Sequence, residues 1–497
     1  MNKPIPRSRG FFWWSEEPIP EGQFAPSSAI PGTLEVDEAG TTNLKLDAFL
    51  ARGKSGPLGA LFRRRGESRL IQGMLAGSNL YVLLSELIPN GANASSVGPS
   101  SEAWFAHRCL ASPAPFSPKT EPSFGSIELG LAGYEEWLHL KSIIVTKSKS
   151  SVMARYVRPR QLKWKLSTGS LHLKLGVSHP MPGEYATASF HEVPSLLLER
   201  KTVVGLEDAL ALLLRIQDLL VLLTDCDRKP EFPTLRATPN SPPIRLFYTR
   251  LPDTSEQLRW HQCWIRFPQL VDSFGDVVES WLAKHSSIGP GFNLYVASRR
   301  DQLYGEHRFA TLVWGLESLH RRTYPASDNK ALQAKIHRIV AQIARPKDKK
   351  WAERQLEGAG EPTLATRLKD LFRQLPLKFD QARMESFTQE VARRRNELSH
   401  FGGMRHTDGY ESFIDQVLRF NEALDLLYHA TLQVAHTHRR PAQISHHLRE
   451  PATCARSACS LENAASGPKP NRRRALELLG SCRHGCILLV MLPRVHE

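Results

Sequence analysis

Residues 309–321 read FATLVWGLESLHR, and this stretch indicates the fold of the C-terminal half. Its apolar residues recur at intervals of three or four positions, which places them on one face of a helix. They are Phe309, Leu312, Val313, Leu316 and Leu319. A second set with the same spacing runs from Phe413 to Tyr428. Two amphipathic faces of this kind bury their apolar sides by packing together, so the pattern predicts a helical bundle between about residues 296 and 437.

The first half of the chain shows the two-residue alternation typical of β-strands. Residues 162–166 and 171–175 alternate apolar with mostly basic side chains, and the polar segment 167–170 separates them. The two runs predict a hairpin with one apolar and one basic face. The basic face consists of Lys163, Lys165, His172 and Lys174. Two interpretations of it stay open, a contact with nucleic acid and ordinary hydration.

Four other stretches complete the expected organisation. The segment 92–122, rich in Ser, Pro and Ala, predicts a long loop. The apolar run 209–223 is too short for a bilayer and contains charges, so we expect a buried helix there and no membrane segment. A helix near 329–344 and a loop with Pro346 and Pro362 should precede a further helix that starts at about 379.

The fold class that follows is α+β. We expect a β-rich N-terminal domain at residues 1–295, β-rich to about 195 and helical afterwards. An all-α domain at 296–437 should follow it. Residues 438–497 lack core-forming periodicity and predict a disordered basic tail. Two cysteine pairs in that tail, Cys454/Cys459 and Cys482/Cys486, do not have the usual C-x-x-C spacing of zinc sites, so no metal site is expected.

The helix expected to start at about residue 379 carries the residues best suited to catalysis. Residues 393–400 read RRRNELSH and contain R-N-x-x-x-H, with Arg395, Asn396 and His400. Attack of a ribose 2′-hydroxyl on the adjacent phosphate needs proton transfer and stabilisation of negative charge. Histidine transfers protons near neutral pH, and arginine presents a planar fork to phosphate oxygens. We expect Arg395 to hold the scissile phosphate, His400 to move the proton and Asn396 to position one of these groups or the RNA.

The spacing of the two main residues favours a site shared between subunits. Five positions along an α-helix correspond to a rotation of about 140°, so Arg395 and His400 point away from each other on one helix. Two copies of the helix that face each other across a two-fold axis bring an arginine of one chain close to a histidine of the other. The motif therefore predicts a homodimer.

Several segments resemble a known family. The spacing of Arg395 and His400 resembles the R-x-x-x-x-H motif of HEPN-domain ribonucleases. Residues 309–321 resemble the first long helix of the ApeA-like HEPN group, in which a pattern F…aLEsLHR recurs. Short segments at 30–34 and 130–138 are similar to the β-rich domain that precedes this HEPN domain. The resemblance covers most of residues 1–437.

This resemblance implies an endoribonuclease that takes part in abortive defence against phage. The implied substrate is RNA, and a phage-derived trigger would act on an N-terminal domain that senses it or restrains activity. The cleavage chemistry requires no metal and no cofactor. Glu317 and Arg394 are supporting candidates, Glu317 as an acid that orients Arg395 or His400 and Arg394 because the motif tolerates a variable gap.

Other interpretations of the same residues stay open. Arg393–Arg395 are also explained as a solvated basic face, His400 as a cation at a helix C-terminus, and Glu317 as an exposed helix glutamate. The pattern does not say which of the three arginines works. The alternative for the whole domain is a non-catalytic dimerisation or RNA-binding module, in which the motif only contacts phosphate.

Composition suits a polyanionic partner and a reducing compartment. The 497 residues hold 65 Lys and Arg against 50 Asp and Glu, a net charge of +15, of which part lies in the tail. Seven cysteines, an odd number, and a start that lacks the apolar region of a signal peptide indicate a cytoplasmic protein.

Overall fold

A computed structural model gives the fold of most of the chain. The described residues are 4–50, 69–93, 98–178, 189–251, 253, 258–261, 263–299, 303–324, 330–356, 361–375, 377–401 and 410–436. They belong to two compact units that divide between Glu279 and Ser280. Strands dominate the first unit and helices the second, which confirms the α+β class. The expected domain limits stay predictions, and the tail from 438 lies outside the described residues.

The described residues of the first unit contain fourteen strands. They are β1 (Ser8–Trp14), β2 (Ile30–Val36), β3 (Thr42–Leu46), β4 (Ile71–Leu75), β5 (Leu80–Asn93), β6 (Ser101–Ser112), β7 (Ser123–Gly130), β8 (Ile143–Lys147), β9 (Val152–Tyr156), β10 (Leu162–Leu166), β11 (Gly169–Ser178), β12 (His191–Gly205), β13 (Thr234–Arg236) and β14 (Ile244–Tyr248). Two helices lie among them, the short α1 (Glu135–Leu138) and the long α2 (Leu206–Thr224). β13 and β14 follow α2, where the sequence pattern indicated helix only.

Twelve of these strands form one antiparallel sheet. Its order is β10-β11-β12-β7-β13-β14-β6-β3-β2-β1-β4-β5, and β5 also pairs with β6. The six strands from β6 to β5 therefore close into a ring, and the other six continue from it. Phe12 lies inside the sheet and is fully buried opposite Gly73, where a Cβ atom would collide with the phenyl ring. A glycine at that strand position makes room for the aromatic side chain.

β6 corrects the expectation of a long loop at 92–122. Residues 101–112 pair with β3, β5 and β14, so this part of the segment lies in the interior of the sheet, whereas residues 113–122 form no strand or helix. Glu102 faces inward and accepts a hydrogen bond from the Leu50 amide at 3.1 Å. A buried carboxylate at an inward position interrupts the apolar alternation by which a strand is normally recognised.

The hairpin predicted at 162–175 is confirmed as β10 and β11, with Trp164 opposite Leu171. The Trp164 indole donates to the Val271 carbonyl at 2.7 Å, and the Trp137 indole donates to the Ile265 carbonyl at 2.8 Å. Both rings pack against the aromatic segment that follows in the chain. These contacts hold residues 265–274 against the strands.

In the described part of the second unit, every secondary-structure element is a helix. Its helices are α3 (Phe274–Ile288), which begins in the first unit, α4 (Pro290–Ala297), α5 (Gly305–Thr323), α6 (Lys330–Ala341), α7 (Pro346–Leu356), α8 (Leu364–Gln374), α9 (Gln381–Phe401) and α10 (Tyr410–His436). The apolar stripes of α5 and α10 are buried, which confirms the predicted bundle. The helices expected at 209–223, near 329–344 and from about 379 are α2, α6 and α9.

Two helices, α7 and α8, correct the expected loop around the two prolines. Pro346 is the first residue of α7, a position where its missing N–H is not needed. Pro362 immediately precedes Thr363, whose side chain accepts a hydrogen bond from the Thr366 amide at 3.2 Å and caps α8. The prolines therefore mark helix starts.

α5 and α10 approach closely at a glycine. Gly315 lies against the ring of Tyr428, whose hydroxyl donates to the Gly291 carbonyl. A Cβ atom at residue 315 would overlap the buried ring, so the two helices reach this separation only with glycine there. Their packing fixes the position of Glu317, two residues further along α5.

Among the described residues, no helix has the length and apolar character needed to cross a membrane.

Candidate active site

The three consecutive arginines of α9 have three different sets of partners. Successive residues of a helix are rotated by about 100°, so Arg393, Arg394 and Arg395 point to three sides. Arg394 points toward α10: its Nε donates to Gln416 at 2.7 Å and its Nη1 to Glu397 at 2.9 Å. Only 8% of its side chain is exposed. Arg394 therefore joins α9 to α10 and is closed to a substrate.

Arg393 is exposed but fully engaged on its own helix. Its Nε and Nη2 donate to Glu390, and its Nη1 donates to Glu397 at 2.8 Å. These bonds lower the pKa of the Glu390 carboxyl, chiefly because the charged form accepts the guanidinium hydrogen bonds. All three nitrogens of Arg393 thus face carboxylates, and half of its side chain is solvated. The solvated-face interpretation fits this residue.

Arg395 turns toward α5. Its Nη2 donates to Glu317 at 3.1 Å and its Nη1 to the side-chain oxygen of Asn396 at 3.2 Å. A quarter of the side chain is exposed. Its Nε is buried without a hydrogen-bond partner in the described part of the chain. A guanidinium has five N–H donors, so these two bonds orient Arg395 and leave donors for another acceptor.

Glu317 is the acid that the other charges of the cluster share. Its carboxylate also accepts from Arg321 at 3.2 Å and lies 3.9 Å from the Nε of Arg367. Glu361 binds the same two arginines, Arg321 at 2.7 Å and Arg367 at 2.8 Å. Three guanidinium groups, counting Arg395, thus meet two carboxylates. The cluster keeps a net positive charge, which suits a phosphate.

A buried histidine supports the cluster from behind. The His320 Nε2 lies 3.2 Å from Asp370, and its Nδ1 lies 3.4 Å from the Nη1 of Arg367. Because arginine only donates, Nδ1 accepts, and the ring proton sits on Nε2 toward Asp370. Burial lowers the pKa of His320. His320 therefore acts as a neutral link between α5 and α8 that holds Arg367 beside Glu317.

The structure brings some of the expected site residues together, and the side chain of one, His400, is not among those it describes. Arg395, Asn396 and Glu317 form one cluster, and Arg394 lies apart from it. His400 belongs to α9, but its side chain lies outside the described part of the structure. Sequence reasoning missed Arg367 and Asp370, because the helix that carries them was expected to be a loop. It missed His320 as well, because nothing in the apolar pattern of α5 distinguishes that residue.

The described ranges have no metal-binding arrangement of side chains. They contain no group of three or more His, Cys, Asp or Glu side chains placed to hold a metal ion. The four cysteines of the tail lie outside these ranges.

The second unit is a helical bundle of the HEPN class. Its late helix α9 carries R-x-x-x-x-H, and its first long helix α5 carries the acid that binds the arginine. Comparison with protein families agrees: residues 311–432 match the model described as Apea-like HEPN, and residues 7–281 match ApeA N-terminal domain 1. The chain belongs to the ApeA family, with its N-terminal domain followed by its HEPN domain. Searches of curated proteins and of solved structures give no match.

The buried His320 makes a testable contribution to pH-dependent stability. Its pKa in the fold is below the ordinary value of about 6.5, so the unfolded chain takes up a proton first as pH falls. The stability it contributes is complete above about pH 6.5 and decreases below that pH. We expect His320→Asn to flatten the decrease of melting temperature between about pH 7.5 and 5.5, where each unit of pKa difference corresponds to about 1.4 kcal/mol.

Differential scanning calorimetry of the full chain measures this effect. His307→Asn, at an exposed histidine of the same helix, is the matched control and should keep the wild-type slope. Equal slopes for the His320 variant and wild type would contradict the assignment.

Proposed function

We propose that this protein is a metal-independent HEPN endoribonuclease of abortive anti-phage defence, whose N-terminal domain senses a trigger or regulates cleavage. The observation that carries the proposal is the Arg395–Glu317 contact, which orients a partly exposed guanidinium on the helix that also bears His400. Membership of the ApeA family and the positive charge of the cluster support it. RNA is the proposed substrate, and a cytoplasmic location is part of the proposal.

Each residue has a separate role in this chemistry. Arg395 neutralises the charge that grows on the phosphate as the 2′-oxygen attacks, and Glu317 keeps the guanidinium oriented before RNA binds. His400 moves the proton that the 2′-hydroxyl loses or the 5′-oxygen gains. Asn396, which accepts from Arg395, limits the motion of the fork on the solvent side. The products are a 2′,3′-cyclic phosphate and a 5′-hydroxyl, and no water or metal enters the first step.

His400→Ala should abolish RNA cleavage while the protein stays folded. Loss of a general acid or base lowers a rate by about 10²–10⁴-fold. The measurement is incubation of the full chain with total cellular RNA in excess chelator, followed by gel electrophoresis. His307→Ala removes an exposed histidine of the same domain and should cleave normally. Equal cleavage by the His400 variant, or cleavage that stops in chelator, would refute the proposed chemistry.

The three arginines should differ in their effects on cleavage. Arg395→Lys should lower the rate about 10²-fold, nearly as much as Arg395→Ala, because a point charge cannot replace a two-pronged contact with phosphate. Arg393→Lys is the matched control, since Arg393 is exposed and already bound to Glu390 and Glu397. The measurement is the initial rate of cleavage of one labelled RNA by each variant and by the wild type. A larger loss in the Arg393 variant would move the role to that residue.

The proposed active form is a homodimer whose two α9 helices face each other. Arg395→Ala and His400→Ala chains, mixed after subunit exchange, gather both lesions into one cleft and leave the other cleft whole. Mixed dimers should then recover about a quarter of wild-type activity in an equal mixture. Sedimentation velocity at the assay concentration measures the oligomer. A fully active monomer would contradict the shared site.

The alternative is a non-catalytic module in which the same cluster only binds phosphate. Substitution separates the two: a catalytic histidine can be removed with RNA affinity intact, whereas a binding role loses affinity together with function. RNA affinity of the His400→Ala chain, measured beside its cleavage rate, therefore decides between them.

A further inference from the structure

One hairpin of the first unit stands apart from its main sheet. Strands β8 and β9 pair only with each other among the described strands, from Ile143 opposite Tyr156 to Lys147 opposite Val152. Residues 144–147 and 152–155 are all exposed, so both faces of this two-stranded ribbon meet solvent. We call residues 141–160 the basic arm. A paired ribbon without a packed face is expected to have a binding role, because solvent contact alone does little to stabilise it.

The charge of the basic arm has one sign only. It contains six cations and no Asp or Glu. They are Lys141, Lys147, Lys149, Arg155, Arg158 and Arg160. Each of the six is exposed. In the part of the chain that the structure describes, no ion pair joins any of the six to a carboxylate.

The basic hairpin β10–β11 differs from the basic arm, because some of its basic side chains lie beside carboxylates. On β11, Lys174 lies 3.3 Å from Glu128 and His172 lies 3.0 Å from Glu199. Two of the four basic side chains that the sequence pattern indicated there therefore lie beside acids of the same sheet, Glu199 on β12 and Glu128 on β7. One described acid, Glu192 of β12, meets the basic arm, but it accepts hydrogen bonds from the amide and hydroxyl of Ser142 and is paired with none of the six cations. The positive potential of the arm is therefore available to a polyanion.

We propose that the basic arm binds double-stranded DNA through its phosphates, without reading sequence. A two-stranded ribbon fits the major groove of B-form DNA, which is about 12 Å wide. Five residues of an antiparallel strand span about 17 Å, and the six cations lie in the turn, on the two strands and at the base of the arm. This spread along the ribbon lets them reach several phosphates.

Two other nucleic acids fit this surface less well. Single strands are bound on platforms of aromatic side chains, and the only aromatic residue of the arm, Tyr156, is half-buried. Double-stranded RNA has a deep, narrow major groove that does not admit such a ribbon readily. The geometry therefore favours the DNA duplex over both.

The exposed aliphatic residues of the arm do not favour a protein partner. Val145 and Val152 lie on one face of the ribbon, and Met153 lies on the other, each with 60% or more of its surface exposed. Ile144 lies on the same face as Met153, but each face also carries one of the arm's cations, so neither offers the large continuous apolar patch that a protein partner would cover.

The test compares salt-dependent binding of the full chain and two triple variants. The arm variant is Lys147→Gln, Lys149→Gln and Arg155→Gln. The matched control is Lys45→Gln, Lys119→Gln and Lys378→Gln, which removes the same charge from exposed positions elsewhere. Fluorescence anisotropy uses a DNA duplex of about one to three helical turns, the same duplex in 2′-O-methyl RNA, and the single strands. DNA and 2′-O-methyl RNA lack the hydroxyl that the proposed nuclease needs, so the result does not depend on cleavage.

Each phosphate contact contributes about 0.9 to the slope of log affinity against log salt, so loss of three lowers the slope by about 2.7. Between about 50 and 200 mM salt, the wild type and the control should lose about 40-fold more DNA affinity than the arm variant. Unchanged melting temperatures show that all three chains are folded. Equal slopes in both variants, no binding of duplex DNA by the wild type, or tighter binding of RNA or single strands would each overturn the proposal.

Discussion

The shared carboxylate of Glu317 is the interaction on which the candidate site depends. It joins α5 to α8 and α9 through Arg367 and Arg395, and it lies where Gly315 lets α10 approach α5 closely. Without that acid, three guanidinium groups would face one another with only Glu361 between two of them. Like charges at this distance are unfavourable, so the acid and the arginines have to be placed together by the fold.

The charge balance around Glu317 also explains why an arginine can remain available there. The donors of Arg393 already bind carboxylates, and the side chain of Arg394 is buried and cannot reach a substrate. Both residues therefore stabilise α9. Arg395 shares its acid with two competitors and keeps unused donors. A phosphate that reaches it meets a group already oriented by one strong contact, which removes part of the entropy cost of binding.

Helical periodicity was enough to predict the bundle and the motif helix, because the stripes of α5 and α10 have few interruptions. Pattern reasoning failed where side chains at inward positions were polar or where prolines were read as breaks. The Ser, Pro and Ala content of 92–122 and the inward carboxylate of Glu102 concealed β6, and Pro346 and Pro362 concealed two helices whose starts they mark. The proline signal was legible in principle, since Thr363 and the apolar residues after it form a capped helical pattern.

The choice among three adjacent arginines, in contrast, could not have been made from the sequence. Their side chains differ only in what lies opposite, and those partners come from positions as distant as Glu317 and Gln416. The same limit applies to the basic residues of the first unit. Net charge counts cations, whereas binding depends on cations that lack nearby acids, as the contrast between β11 and the basic arm illustrates. Only the fold determines which acids are near, so the surplus of +15 becomes an argument about partners only after the ion pairs are known.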